Sequence, residues 1–484
     1  MSKSCQFKLN QGPIESILKK QSSGIPNQLI LIMGLIFSLN VSAQINLTID
    51  INKNKREVSP YLYGRNNSFS STNPAEKISA EDLIRIKDAN VTFFRENGGN
   101  NSTKYNWRKK LSSHPDWYNN VYTNDWDAAV LALQKNMPQA QGMWAFQLLG
   151  WVAKTNEHNF NDWTYNQSKW WEGVNQNLAG NGEINPSGSK AKKDGDYKLY
   201  LEPWPADSAT AIIDHWFNTL KINKEKVKYW NMDNEAEIWN GTHDDVIPSL
   251  MPAEEFIQRY IKTAKSARSK FADIKLVGPV TANEWQWYNW NNDAVSYNGR
   301  KYPWMEYFLL RIAEEEKLSG IKLLDVVDLH FYPGTNKANE ITQLHRVFFD
   351  QNFVFPEANG VRRINGGWDT SQNKEYIFTR INNWLNQYFG SNHGKTLALT
   401  EVGINTDNPN LNAVWYASTI GEFMKNGVEI FTPWTWKPGM WEVLHLCSKY
   451  NGTTYVSGQS DNDEKVSVYP SINTNKDDLS MLMV

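Results

Sequence analysis

The sequence is poor in cysteine, histidine and net charge, and each shortage removes a class of function. Only Cys5 and Cys447 occur among 484 residues. Cys5 falls in the leader described below, so the mature chain keeps one thiol, forms no internal disulfide and depends on packing for its stability. The 8 histidines include no His-Glu-x-x-His arrangement, which leaves a zinc hydrolase without its usual sequence support. A formal charge of −2, from 50 basic and 52 acidic residues, provides no broad basic field for a polyanion, so nucleic acid is not an expected partner. No repeat of fixed period and no low-complexity tract is present.

Long apolar runs are scarce as well. Residues 29–39, LILIMGLIFSL, follow Lys8, Lys19 and Lys20, and Val41-Ser42-Ala43 places small residues where a signal peptidase reads them. Basic flank, short apolar core and small-x-small exit form a secretory signal over residues 1–43, with Gln44 as the new N-terminus. The run is short for a membrane span. The expectation is a secreted chain, extracellular or periplasmic, with no membrane association after cleavage.

What the chain has in excess is aromatic: 22 Trp, 21 Tyr and 20 Phe. A Trp face suits the C–H face of a sugar ring while neighbouring groups bond its hydroxyls. Any single Trp is more often core, but Trp285, Trp287 and Trp290 cluster in a loop. The stretch 151–207, with Trp163, Trp170, Trp171 and Trp204, is long for a connection and reads as one wall of a substrate cleft.

Short β-prone runs alternate with amphipathic helical stretches. Strands are expected at 61–64, 91–95, 143–149, 227–232, 274–278, 326–330, 396–400 and 429–432. Helices are expected at 80–88, 209–220, 253–270, 305–317, 375–387 and 412–425, with Ser79 and Asn412 as starts. Eight strands separated by helices suggest an α/β fold, a closed (β/α)8 TIM barrel, with a doubly wound sheet as the alternative. Polar and aromatic residues gather just after these strands: Arg95 to Asn100, Asn234-Glu235, His330 to Pro333, Glu401, and Trp434-Thr435-Trp436. In such barrels the C-terminal strand ends build the active site.

Glu235 and Glu401 end the fourth and seventh of these strands, which lie across a barrel mouth from each other. Cleaving a glycosidic bond takes one carboxyl to protonate the leaving oxygen and a second on the opposite side of the sugar. The alternative for either residue is a structural cap or ion pair. Glu237 is expected to be structural, since Trp239 and a turn at Asn240-Gly241 follow directly.

At these residues the chain resembles glycoside hydrolase family 44. YWNMDNEAEIWNGTHDDVIP, from Tyr229, is similar to the family's acid/base motif Asp-Asn-Glu-x-x-x-Trp-Asn-x-Thr-His. Thr400-Glu401 resembles its Thr-Glu nucleophile motif. FRENGGNNSTKYNW, from Phe94, resembles Arg-x-Gly-Gly-Asn…Tyr-Asn-Trp, and His330 to Pro333 resembles His-x-Tyr-Pro. Departures are Ala236 where the family usually has Pro, an extra residue at Glu96-Asn97 before the glycines, and Val402-Gly403 in place of Tyr-Asp.

The resemblance implies a secreted retaining endo-glycoside hydrolase with Glu235 as acid/base and Glu401 as nucleophile. The implied substrate is a β-1,4-glucan, xyloglucan or cellulose-type. The alternatives are mannan, an algal galactan, or a non-catalytic glycan-binding protein that keeps the barrel. Arg95, Asn100, Asn234, His330, Tyr332, Trp434 and Trp436 are the candidate substrate-binding residues. Asn234 is expected at the sugar 2-hydroxyl, Arg95 or Tyr332 as the donor that keeps Glu401 ionised, and His330 as an orienting group. No metal ligand is assigned and no cofactor is required; a structural calcium is compatible with the family. The polysaccharide is the partner, and the chain is expected to be a monomer.

The resemblance also implies a smaller β-sandwich domain built from both chain ends. The barrel is expected over 59–438, with 45–58 and 439–484 in the sandwich and β-prone runs at 442–446, 453–456, 465–470 and 479–484. The apolar run LSMLMV and the small number of strands lead us to expect that the sandwich is incomplete in these 484 residues.

Overall fold

The computed structural model describes residues 44–70, 78–114, 120–123, 125–160, 175–358, 374–473 and 478–484. The leader at 1–43 and the loop tryptophans Trp163, Trp170 and Trp171 lie outside the described residues.

Eight strands form one parallel sheet: β1 (Gly64–Asn66), β2 (Phe93–Arg95), β3 (Gln141–Phe146), β4 (Tyr229–Met232), β5 (Lys275–Thr281), β6 (Val326–Phe331), β7 (Thr396–Val402) and β8 (Ile430–Phe431). Each strand pairs with the next in the chain. A doubly wound sheet would show a switch point, and this order has none. The ring is drawn together at β1 and β8. Asn66 Nδ2 donates to the carbonyls of Thr400 and Thr432, each at 2.8 Å. Gly64 makes this approach feasible, because a Cβ there would stand 2.8 Å from the carbonyl oxygen of Phe431.

The principal helices are α1 (Ala80–Asp88), α2 (Trp126–Asn136), α3 (Ala206–Asp214), α4 (Ala253–Lys270), α5 (Trp304–Ser319), α6 (Ile377–Phe389), α7 (Pro409–Asn426) and α8 (Met440–Tyr450). Their starts are chemical. The Ser79 hydroxyl accepts the Asp82 amide and caps α1, and the Asp125 carboxylate accepts the Ala128 amide at the head of α2. The expected start of α7 at Asn412 is corrected: Asn408 caps it and Pro409 is its first residue. Proline breaks a helix interior but suits this position, where its missing N–H is not needed. The segment expected as a helix over 209–220 begins earlier and ends in a wide π turn, His215–Thr219. The expected strand at 442–446 is the middle of α8; alternating short runs there concealed a helical face carrying Met440, Leu444 and Cys447.

Because strand side chains alternate, each barrel strand sends every second residue inward. Phe93, Met143, Tyr229, Val277, Val326, Ala398 and Ile430 form one apolar plug inside the ring. Two residues further along, the inward positions turn polar: Arg95, Asn231, Asp328 and Thr400, each under 2 % exposed. The outward residues Phe94, Trp230, Val327 and Leu399 join the core between sheet and helices.

The remaining strands are antiparallel. Leu47–Asp50 pairs with Ser457–Ser460, and Arg56–Glu57, Thr454–Tyr455, Val468–Asn473 and Asp478–Met483 make a four-stranded sheet in that order. Both chain ends therefore contribute, and the fold is a TIM barrel with added β-sandwich sheets. Tyr455 and Tyr469 carry the barrel's core into this second unit.

Several tryptophans expected at a cleft belong to the core. Trp204, Trp287 and Trp290 are at most 6 % exposed. Trp290 donates its indole N–H to the Met251 carbonyl and packs on Phe256 and Trp304, while Trp287 donates to the His330 carbonyl. A large ring whose N–H finds a backbone acceptor can be buried without loss. Trp285 remains partly exposed, its N–H on the Asn291 carbonyl.

Candidate active site

The polar inward layer supports the site. Arg95, at the end of β2, donates from all three guanidinium nitrogens. Nε meets Asn231 Oδ1 at 2.9 Å, Nη2 meets Asn234 Oδ1 at 3.0 Å, and Nη1 meets Asn66 Oδ1 at 3.2 Å and Glu401 Oε1 at 2.6 Å. Four strand ends are thereby referred to one rigid fork. Tyr332, just past β6, donates to the other oxygen of Glu401 at 2.7 Å. Burial works against charge on Glu401, but His330, the Arg95 cation and the hydrogen bonds of Tyr332 and Arg95 hold its carboxyl below the ordinary value. His330 itself is pushed down to about 3 by burial, with Arg95 adding to the effect and Glu401 opposing it. The imidazole is thus neutral near pH 7, and Arg95 and Tyr332 sustain the ionised Glu401 there. Tyr332 keeps its proton, since burial and the charges of Glu401 and Glu235 raise it well above 10.

Glu235 follows β4 in a left-handed conformation, φ 47° and ψ 49°, with its amide on the Val280 carbonyl at 3.0 Å. Such a conformation costs a non-glycine residue roughly 1 kcal/mol or more, and it persists where neighbours over-determine it. The neighbour here is Asp233, whose carboxylate accepts the Thr103 hydroxyl, the Leu148 amide and the Asn234 amide. Burial raises Asp233 to about 7 against those bonds. The carboxyl of Glu235 is turned to His330, with Oε1 2.7 Å from Nδ1. Oxygens of Glu235 and Glu401 and a ring nitrogen of His330 all lie within 4.8 Å of one another. Three such atoms could surround a cation, but a guanidinium 2.6 Å from Glu401 already supplies positive charge there, so the cluster suits proton and carbon chemistry better.

The structure thus brings together Glu235, Glu401, Arg95, Asn234, His330 and Tyr332. Asn100 joins through Asn234, whose Nδ2 donates to Asn100 Oδ1 at 3.0 Å. Trp434 lies over Gly99, which has φ +82° and would place a Cβ 2.9 Å from the indole. Trp436 is not brought to the cluster. It sits behind the barrel wall against Trp441 and Tyr416, with the Arg65 guanidinium 4.7 Å above its ring. Glu237 is 1 % exposed and accepts the Trp304 indole N–H, a structural position.

The reading of the sequence gave no role to four supporting residues: Asn66, Asn231, Asp328 and Thr400, the last of which it noted only as part of the Thr400-Glu401 motif. Their signal was present as a polar residue at the inward phase of an otherwise apolar strand. Glu96, of the pair Glu96-Asn97 that is one residue longer than the family pattern, is fully buried and accepts the amides of Ser68, Phe69 and Ser70, tying the loop after β1 to that after β2.

Sequence comparison bears out the resemblance. Residues 111–335 match the model of glycoside hydrolase family 44. The chain is 24% identical, over 90% of its length, to a protein named beta-mannanase/endoglucanase A of Caldicellulosiruptor saccharolyticus, and 22% identical over 85% to an endoglucanase A of Paenibacillus lautus. It spans 33% and 58% of those two proteins. Among solved structures, a bifunctional glucanase-xylanase from a metagenome library superposes with a TM-score of 0.70, and a Paenibacillus polymyxa family 44 xyloglucanase with 0.65. Both are 19% identical to this chain, and in each case the match covers 90% of this chain and 86% of the other.

Proposed function

We propose that the chain is a member of glycoside hydrolase family 44 and acts as a retaining endo-glycoside hydrolase with Glu401 as nucleophile and Glu235 as acid/base. One observation carries this reading: the two carboxyl groups approach within 4.8 Å from opposite strands of the barrel mouth, one held ionised by Arg95 and Tyr332 and the other against a neutral imidazole. Retaining enzymes keep this pair about 5–5.5 Å apart, whereas an inverting site is wider by the width of a water.

In the first step a Glu401 oxygen attacks the anomeric carbon, the bond to the leaving oxygen breaks, and Glu235 transfers its proton to that oxygen. In the second, the Glu235 carboxylate takes a proton from water, the water oxygen attacks the same carbon, and Glu401 leaves with its electron pair. Two inversions retain the configuration. Asn234, held by Arg95 beside the acid, is placed to bond a sugar hydroxyl as charge develops, and Trp434 offers a partly exposed ring at the mouth.

The substrate we propose is a neutral β-1,4-glucan, xyloglucan first, cut internally. The name of the Caldicellulosiruptor relative makes a β-mannan the second reading. A screen over xyloglucan, carboxymethyl cellulose, glucomannan, mannan and agarose tests both. Early products should be oligosaccharides whose new reducing end is the β anomer by NMR before mutarotation. An α product, or monosaccharide released only from chain ends, would contradict the proposal. Export by the leader at 1–43 is part of it, and the N-terminal sequence of the secreted protein should begin at Gln44; an intact leader on secreted protein would refute that part.

A further inference from the structure

The hydrogen bonds under the site have a direction, and it can be followed from Arg95 to Glu235. A guanidinium only donates, so Asn231, which meets Arg95 Nε at 2.9 Å, must present its Oδ1 there. Its Nδ2 then donates to Asp328 Oδ2 at 3.2 Å. The Thr400 amide donates to Asp328 Oδ1 at 3.1 Å. Both oxygens of this buried carboxylate therefore face groups that cannot accept. The Thr400 hydroxyl, 2.6 Å from Oδ2, turns its single hydrogen to the same carboxylate. That leaves Thr400 Oγ with lone pairs only toward His330 Nε2, 3.3 Å away.

We propose that Asp328, acting through Thr400, fixes His330 as the tautomer protonated on Nε2, and that the bare Nδ1 so presented keeps the proton on Glu235 in the resting enzyme. The proposal rests on Glu235 being the acid/base. Asp328, Thr400 and His330 are positioning residues, since they act through Glu235.

The charged and titratable groups around the ring are Glu235, Glu401, Arg95, Tyr332 and Asp328. Glu401 Oε2 stands 3.6 Å from Nδ1, but Glu401 is ionised and accepts from Arg95 and Tyr332, so it has no proton to give. Glu235 Oε1, at 2.7 Å, is the remaining source. With Glu235 ionised, two lone pairs would oppose each other at that distance; with Glu235 protonated, the contact is a hydrogen bond. His330 is fully buried, which keeps the ring neutral and limits it to one proton. Its backbone is held by the Trp287 indole on its carbonyl. Burial raises Asp328 to about 7, and the direction described is the one held above that pH.

The test combines a spectroscopic readout with a pH profile. In long-range proton–nitrogen spectra of 15N-histidine-labelled protein at pH 7.5, His330 should carry its proton on Nε2. Asp328→Asn offers an amide donor to Thr400, which reverses the chain, moves the ring proton to Nδ1 and makes Glu235 a stronger acid. Thr400→Val removes the relay while leaving the Asp328 charge in place, and remains informative if Asp328→Asn does not fold. Both variants should shift the basic limb of kcat/KM on xyloglucan to lower pH, by about tenfold in activity at the wild-type limb, a shift of about one unit. Thr400→Ser should restore the wild-type tautomer and limb. A wild-type His330 protonated on Nδ1, or variants with unchanged tautomer and limb, would overturn the proposal. If the functional reading itself fails, Glu235→Gln retains near-normal turnover while the tautomer of His330 still reports on the relay.

Discussion

Replacing Glu401, the proposed nucleophile, with glycine should lower kcat by about 10^4-fold or more, because the variant lacks the carboxylate on which the glycosyl intermediate would form. Sodium azide should restore part of the turnover on an aryl β-oligoglucoside by occupying the vacated space. The product should be the α-glycosyl azide, since azide then makes the single inversion. Glu235→Gln should lose about 10^2- to 10^4-fold on polysaccharide, where the leaving alcohol needs a proton, and far less on an aryl glycoside whose leaving group does not. In that variant azide should give the β-glycosyl azide through the intact Glu401. The two products separate the roles. Near-normal hydrolysis of polysaccharide by Glu401→Gly or Glu235→Gln, or azide products of the opposite anomers, would reverse or remove the assignment.

Arg95→Met should be the most damaging change outside the carboxylates. Its guanidinium is 1 % exposed and pairs with Glu401 at 2.6 Å, so removal leaves a buried charge without its partner and Asn66, Asn231 and Asn234 without theirs. Breaking one side of a buried pair costs about 3–5 kcal/mol, which denaturant unfolding would read directly. The pH signature follows from the same loss. Glu401 has a depressed folded value, so its ionised form contributes stability above the unfolded value, and that stability disappears as pH falls through the folded one. Without Arg95 the carboxyl rises, and the acid limb of kcat/KM should move to higher pH. Arg95→Lys restores charge but not the fork, and should recover the limb better than the rate. An Arg95→Met variant with wild-type stability and an unmoved acid limb would show that Tyr332 alone holds Glu401 ionised.

How far the site could be read beforehand depended on which residues carried a local signal. Glu235 and Glu401 each stand at the end of a short apolar strand, and a carboxylate there interrupts the local pattern enough to be noticed. Arg95, Asn234, His330 and Tyr332 share those strand ends. Asp328 and Thr400 lie inside strands that otherwise read as core, so only their inward phase distinguished them. Trp436 was not distinguishable beforehand, because an aromatic after a strand looks the same whether it faces the mouth or the helix layer; in the structure its ring lies under the Arg65 guanidinium. Trp204, Trp287 and Trp290 differ from expectation in the same direction, since loop position suggested exposure and tertiary packing supplied their burial.

The sequence by itself indicated where the eight strands lie along the chain, six of the eight principal helices and the two glutamates at strand ends, because periodicity of apolar residues and punctuation by polar ones are local properties, whereas the pairing order that removes a doubly wound sheet came from the tertiary structure. It did not contain the closure of β1 on β8, the fork by which Arg95 joins four strand ends, or the direction of the hydrogen bonds from Asp328 to Glu235. Those depend on atoms more than 60 residues apart being brought within 3.3 Å. Charge state and tautomer follow from burial and from which neighbour can only donate, and both are set when the barrel closes.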